Sequence, residues 1–213
     1  CEPALRGSSS ASRGGAFVPT GRPVCVVAPS QRHLRVKICR YSMWKVGTAG
    51  YAVSKEKWLS LQELTCLEIN STFYRLPTEV AAKSWSKLPS RVFLVLKVWQ
   101  LVTHRKLLNE VDSAWTEFVR ATQTHGLEGR DGGYLLQLPP RFAKKPEYVD
   151  RLKKLASLAK RTAPHVQMFV EFRHKSWLTD ETYALVDALG WVMSGTVIRK
   201  DPDNEKWIGT MPP

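Results

Sequence analysis

The sequence predicts an α/β fold of the TIM (β/α)8-barrel type, incomplete, with about six β-α units present behind a disordered N-terminal extension. Three observations carry this reading. From Trp44 onward, short apolar and β-branched runs alternate with longer stretches of helical spacing, as expected of successive units around a parallel sheet. The apolar runs turn polar at their C-terminal ends, which is where barrels of this type keep their chemistry. With 213 residues and 43% hydrophobic content, the chain can fill one core but not two ordinary domains.

Taken in order, the strand candidates are Trp44–Thr48, Cys66–Asn70, Val92–Val98, Tyr134–Leu138, Gln167–Phe172 and Trp191–Val197. Each is rich in side chains that suit a half-buried pleated surface. Between them, Ser54–Thr65, Thr78–Leu88, Leu107–His125, Glu147–Lys160 and Thr179–Leu189 read as helices. Thr179 stands at an N-cap position with Asp180 and Glu181 in the first turn, where negative charge suits the helix dipole, and Gly190 follows where a left-handed residue ends a helix. Val111, Trp115, Phe118, Val119 and Thr122 form one apolar stripe; Leu152, Leu155, Ala156 and Ala159 form another. Both are expected to pack on the sheet.

The chain divides into a basic extension or targeting segment at 1–42, a partial barrel at 43–200 and a loop or tail at 201–213. Residues 1–42 carry seven basic residues against the single acid Glu2, a large share of the net charge of +13. Their Ser, Gly and Pro content leaves too little apolar surface to offset the entropy of ordering. Such a segment suits a solvated extension without function, an organelle transit peptide or a nucleic-acid arm. It opens with Cys1, and no methionine precedes Met43. The longest apolar runs, such as Val92 to Leu96, fall far short of the roughly 20 residues of a spanning helix, so no membrane partner is expected. The four cysteines form no Cys-x-x-Cys pair and read as reduced thiols in a reducing compartment, hence a cytoplasmic protein, or an organellar one if the extension is a transit peptide.

The strand ends hold the candidate chemistry. An ionised group inside a parallel strand costs several kcal/mol unless it is paired or faces a wet mouth. Side chains alternate along a strand, so Glu68 shares a face with Asn70, and Glu171 shares one with Arg173. Glu68 and Glu171 are candidates for general acid and base, with charge-balanced pairs Glu68–Lys97 and Glu171–Arg173 as the structural alternative. His104, in the polar run Thr103-His104-Arg105-Lys106, and His174 are proton-shuttle candidates, and a solvated loop histidine is the plainer reading of each. Lys97, Arg173, Thr72 and Tyr74 suit a phosphate or sugar substrate, and Trp177 suits either stacking on a ring or filling the core. No metal-ligand spacing, Gly-x-Gly-x-x-Gly or Gly-Lys-Ser occurs, so no metal and no cofactor is expected. The basic run from Arg141 through Arg161 suits a solvated helix face or, more weakly, a nucleic-acid backbone.

Gly47-Thr48-Ala49-Gly50-Tyr51, Glu68-Ile69-Asn70-Ser71-Thr72-Phe73-Tyr74, Lys97, Thr103-His104, Gln137-Leu138-Pro139-Pro140 and Glu171-Phe172-Arg173-His174-Lys175-Ser176-Trp177 occur in an order and spacing that resembles the YecE-like family, domain of unknown function 72. The resemblance covers roughly residues 43–197. It implies a TIM barrel and no established reaction, with Glu68, Asn70, Thr72, Tyr74, Lys97, His104, Gln137, Glu171, Arg173, His174 and Trp177 lining the pocket. Two departures stand out: the family's seventh strand with a Tyr-x-Arg element and its eighth with an Asn pair are not found, and Tyr51 leads straight to the helix at Ser54 without the usual aromatic loop. At a mean repeat of about 29 residues, eight units need on the order of 230. The first and sixth strand candidates are therefore expected as open edges, and the product as marginal or aggregation-prone unless a partner covers them.

The expected function is a hydrolase or lyase acting on a phosphorylated, sugar-containing or nucleic-acid substrate. Glu68, Glu171, Lys97 and His104 would carry catalysis, while Asn70, Thr72, Tyr74, Gln137, Arg173, His174 and Trp177 would bind substrate. The alternatives are a non-catalytic module binding nucleic acid or an oxyanion, and an inactive fragment. The expected partner is a small or phosphate-containing molecule, and the residues specify no oligomeric state.

Overall fold

Strand-forming runs and amphipathic stripes assemble into one parallel sheet with helices on its outer face. The computed structural model describes residues 45–130 and 132–195 in full, and the backbones of Cys25–Ala28, Val197–Ile198 and Ile208–Gly209. Strands β1 (Cys25–Ala28), β2 (Lys45–Ala49), β3 (Cys66–Ile69), β4 (Phe93–Lys97), β5 (Gly132–Leu138), β6 (Gln167–Phe172) and β7 (Val192–Ser194) pair in parallel and in chain order. This is the strand order of a TIM-type barrel, here incomplete: among the described residues β1 and β7 do not pair with each other. Helices α1 (Lys55–Ser60), α2 (Ser71–Tyr74), α3 (Glu79–Ser86), α4 (Asp112–Thr122), α5 (Pro146–Thr162) and α6 (Asp180–Ala188) fill the connections. The small pair β8 (Val197–Ile198) and β9 (Ile208–Gly209) is antiparallel. Among the described residues no helix is long and apolar enough to cross a membrane.

The sheet has two unlike faces. Leu67, Leu94, Leu96, Leu136, Leu138, Val170 and Phe172 point outward into the main core, where the stripes of α4 and α5 meet them. Cys66, Phe93, Val95, Leu135 and Phe169 form a separate inner cluster. Space on that inner face is tight. A Cβ at Gly133 would run into the Phe169 ring, which is why β5 opens with glycine there.

Several elements differ from the sequence expectation, each for a local reason. The first helix stops at Ser60 rather than Thr65: Leu61 is extended, and Thr65 is claimed by β2, its N–H donating to the Val46 carbonyl at 2.7 Å. The fourth helix starts at Asp112 rather than Leu107, since Leu107, Leu108 and Glu110 adopt positive φ and cannot continue a helical turn. Thr179 does stand at the N-cap of α6, but its hydroxyl meets the Lys144 ammonium at 2.9 Å and Thr182 at 3.2 Å rather than capping the helix. Gly190 takes the expected left-handed turn at φ 72°.

Two corrections concern the ends. Within the extension read as disordered, Cys25–Ala28 is a strand whose register against β2 runs from Cys25↔Lys45 to Ala28↔Thr48. The first strand of the barrel is therefore not an open edge. An unpaired row of N–H and C=O groups is a template for any nearby extended segment, and the β-branched pair Val26-Val27 supplies one. The tail read as loop likewise contributes β9. The rest of 1–42 and of 201–213 lies outside the described residues. A third correction is that Cys66 is disulfide-bonded. Spacing along the chain does not reveal thiols that meet in space, so the reading of four reduced cysteines, and the compartment drawn from it, loses its basis.

At the N-terminal end of the sheet, Arg130 ties the α3–β4 connection to β5. Its guanidinium donates to the carbonyls of Leu88, Pro89 and Val92 at 3.0 Å each and lies 3.4 Å from that of Ser86. Arg130→Met, which keeps the stem and removes the fork, is expected to cost about 2–3 kcal/mol, since hydrogen bonds from a charged donor are each worth more than neutral ones. Urea unfolding measures it, and Arg130→Lys should recover only part, because one ammonium cannot span the same set of acceptors.

Candidate functional site

Strand register decides which polar side chains meet. In adjacent parallel strands, residues in register point to the same face. Ala49, Glu68 and Val95 are in register, as are Lys97 and Leu135, and Gln137, Glu171 and Ser194. Val95, Leu135 and Phe169 belong to the inner cluster, so Glu68, Lys97, Gln137 and Glu171 all rise from that inner face. They climb in successive layers from β3 to β6, and all stand at the C-terminal ends of their strands.

Glu171 is the best-anchored member, 3% exposed. Its Oε2 accepts from Gln137 Nε2 at 2.8 Å, and its Oε1 is ion-paired with Arg173 Nε. Arg173 lies two residues further on, just past the end of β6, and keeps part of its side chain in solvent. Glu68 is 8% exposed. Burial pushes its carboxyl above the usual range; Lys97 and Arg173 pull it back down, while the charge of Glu171 adds to the rise. Lys97 is shifted below its ordinary value, first by burial and then by Arg173, against the opposing pull of Glu68 and Glu171. The two carboxylates thus belong to one electrostatic cluster on one rim. Of the two ion pairs expected from sequence, Glu171–Arg173 is formed; no ion pair within 4.0 Å joins Glu68 to Lys97 among the described residues.

The first residues of the family-like stretch after β3 act partly as scaffold. The Thr72 hydroxyl is fully buried, 2.9 Å from the Ile69 carbonyl and 2.7 Å from that of Lys97, and so fixes the end of β4 rather than facing the mouth. Asn70 is half-buried at the N-cap of α2, its side chain making no capping bond. Tyr74 is 69% exposed and packs edge-on to Phe73.

Phe73, which the sequence reading passed over, is central. Its ring lies 4.9 Å from Lys97 Nζ and meets the His104 imidazole edge-on at 4.8 Å. The only sequence signal for it was its place between Thr72 and Tyr74. His104 sits in a π-helical turn at Leu101–Arg105, its Nδ1 2.9 Å from the Thr103 hydroxyl. Burial and the cations Lys97, Arg141 and Arg173 hold its imidazolium form down. Arg141, counted from sequence with the outer basic run, instead reaches this rim and donates to the His104 carbonyl.

Two residues expected at the mouth are structural. Trp177 is fully buried, stacked 4.3 Å from Phe172 and 5.8 Å from Phe142, with Nε1 donating to the Phe142 carbonyl at 2.7 Å. No face of it is left for a ligand. His174 caps the short 3-10 turn Lys175–Trp177: its Nδ1 accepts from Ser176 N at 3.2 Å and lies 2.7 Å from the Ser176 hydroxyl. On α5, Lys153, Lys154, Lys160 and Arg161 are exposed on the outer surface, away from the rim. Among the described residues no group of three or more His, Cys, Asp or Glu is placed to hold a metal ion.

The comparisons with known proteins bear on the fold and the family. No curated protein matches the sequence. Among solved structures, the chain is similar to a DUF72 family protein from Enterococcus faecalis V583, at 17% identity and a TM-score of 0.58, covering 70% of this chain and 61% of that one. It is also similar to a DUF72 family protein from Thermotoga maritima MSB8, at 25% identity and a TM-score of 0.54, covering 65% of this chain and 52% of that one. The chain therefore spans only about half to three-fifths of the length of those relatives. The family described as "protein of unknown function DUF72" matches residues 42–208, most of the sequence and all of the rim, and the chain belongs to that family.

Proposed function

We propose that the rim of this partial barrel performs acid-base chemistry on a small anionic substrate, phosphorylated or sugar-containing, as a hydrolase or lyase. The observation that carries this is the pair of buried carboxylates in unlike surroundings. Glu171 is fixed by two donors, Gln137 and Arg173, while Glu68 is desolvated beside Lys97. In this reading Glu68 exchanges the proton, since a carboxyl titrating above its ordinary range does so more readily near neutral pH. Arg173 and Arg141 supply fixed positive charge for the substrate's oxyanion, and Glu171 holds Arg173 in place. Gln137 and Asn70 orient the substrate by hydrogen bonds. His104, whose protonated form is disfavoured first by burial and then by three neighbouring cations, offers an imidazole at the same mouth.

The test is turnover of a panel of phosphorylated sugars and nucleotides, followed by 31P and 1H NMR. The 213-residue chain should consume at least one compound, and a Glu68→Gln, Glu171→Gln double variant with an unchanged circular dichroism spectrum should not. Equal consumption by the double variant would overturn the reading.

A further inference from the structure

Lys97 is the rim residue whose environment is least explained by charge balance. Its backbone is locked from both sides of the β4 end, since its carbonyl accepts from the buried Thr72 hydroxyl at 2.7 Å and its strand is paired to β5 at Lys97↔Leu135. Its side chain lies on the inner face, half-buried, with the ammonium 4.9 Å from the Phe73 ring. Among the described residues no carboxylate lies within ion-pairing distance of Nζ. Glu171 has committed its oxygens to Gln137 and Arg173. The amine is therefore held in place on the rim, half-buried and, among the described residues, free of a salt bridge, while an arginine fork stands on the same rim.

We propose that Lys97 is a nucleophile that forms an imine with the carbonyl carbon of a small substrate, an aldehyde or ketone whose phosphate or carboxylate is held by Arg173. This rests on the acid-base reading of the same rim and specifies it as carbonyl chemistry of the lyase kind. The neutral amine attacks the carbonyl carbon, forming a C–N bond, and the carbonyl oxygen takes up a proton to give a carbinolamine. The proton on the carbinolamine oxygen comes from the attacking nitrogen; the Glu68 carboxyl then donates its proton to the hydroxyl, which leaves as water as the C–O bond breaks, and the nitrogen keeps its remaining proton in a protonated imine. Glu68 is thereby left as the base for the next proton abstraction. Burial and Arg173 favour the neutral amine needed for the attack; the Glu68 and Glu171 charges and the Phe73 face oppose it, and burial prevails.

The test uses dihydroxyacetone phosphate and pyruvate as separate probes, each incubated with the 213-residue chain and sodium cyanoborohydride, whose hydride reduces the C=N bond to a stable secondary amine. Peptide mapping by mass spectrometry should place the adduct on Lys97 several-fold faster than on the exposed Lys153 and Lys154 of α5, with inorganic phosphate slowing the phosphorylated probe. Labelling of Lys97 no faster than those surface lysines overturns the proposal. A second arm compares turnover in Lys97→Arg, which keeps the cation but cannot form the imine. Turnover that survives Lys97→Arg yet falls in the double carboxylate variant overturns the imine alone and leaves the acid-base reading standing. Turnover lost in Lys97→Arg, with the wild-type adduct on Lys97, supports it.

Discussion

Replacing Glu68 with glutamine is expected to lower kcat/KM by about 10²–10⁴-fold, the range contributed by a positioned acid or base, while leaving the chain folded. Both halves follow from one placement. Glu68 is 8% exposed at the end of β3, and burial is the leading cause of its raised carboxyl. Burial already penalises the charged form of this side chain, so an isosteric amide is tolerated and the substitution leaves no buried charge of its own making. The acidic limb of the pH-rate profile, set by a base that must be ionised, should lie above the ordinary glutamate value of 4.5 and disappear in the variant. A profile whose acidic limb is unmoved by Glu68→Gln would assign the proton transfer to another group. Glu171→Gln differs in kind: it weakens the anchor of Arg173, so the loss should fall mainly on KM, and adding salt should deepen it.

Trp177→Ala is expected to destabilise the protein by about 3–5 kcal/mol, the range for truncating a large aromatic in a core. The indole is fully buried between Phe172 and Phe142, and its N–H satisfies the Phe142 carbonyl. Removing it opens a cavity and orphans an acceptor at once. Trp177→Phe, which keeps most of the stack and loses the hydrogen bond, should cost clearly less. Denaturant unfolding followed by the remaining tryptophans gives both values. A ligand-stacking role would produce the opposite signature, near-native stability with weakened binding.

The difference between Trp177 and Phe73 shows what kind of information the sequence lacked. Both follow a strand end and both are aromatic, so periodicity and composition treat them alike. Trp177 turns into the main core because the 3-10 turn capped by His174 carries it over Phe172, whereas Phe73 is held beside Lys97 and His104 by the short helix α2. Arg141 is a similar case. By sequence it begins a basic run, and only the path of the chain after β5 brings it to the His104 carbonyl. The strand β1 was obscured differently, because four β-branched and small residues disappear within a polar segment when composition is averaged over the whole of it.

What the amino-acid sequence determined by itself was periodic: six of the parallel strands, the buried stripes of α4 and α5, and the polarity of the strand ends, hence the fold and the face that bears Glu68, Lys97, Gln137 and Glu171. Alternation at a period of two is a local property of the backbone, and burial reads it directly. The tertiary structure alone decided the pairing: Glu171 with Arg173 and Gln137, Lys97 without a carboxylate at ion-pair distance among the described residues, Cys66 in a disulfide, Thr72 and Trp177 as scaffold. These depend on register between strands and on how each connection leaves the sheet. A shift of one residue in a strand would send its side chains, such as Lys97 or Glu171, to the other face.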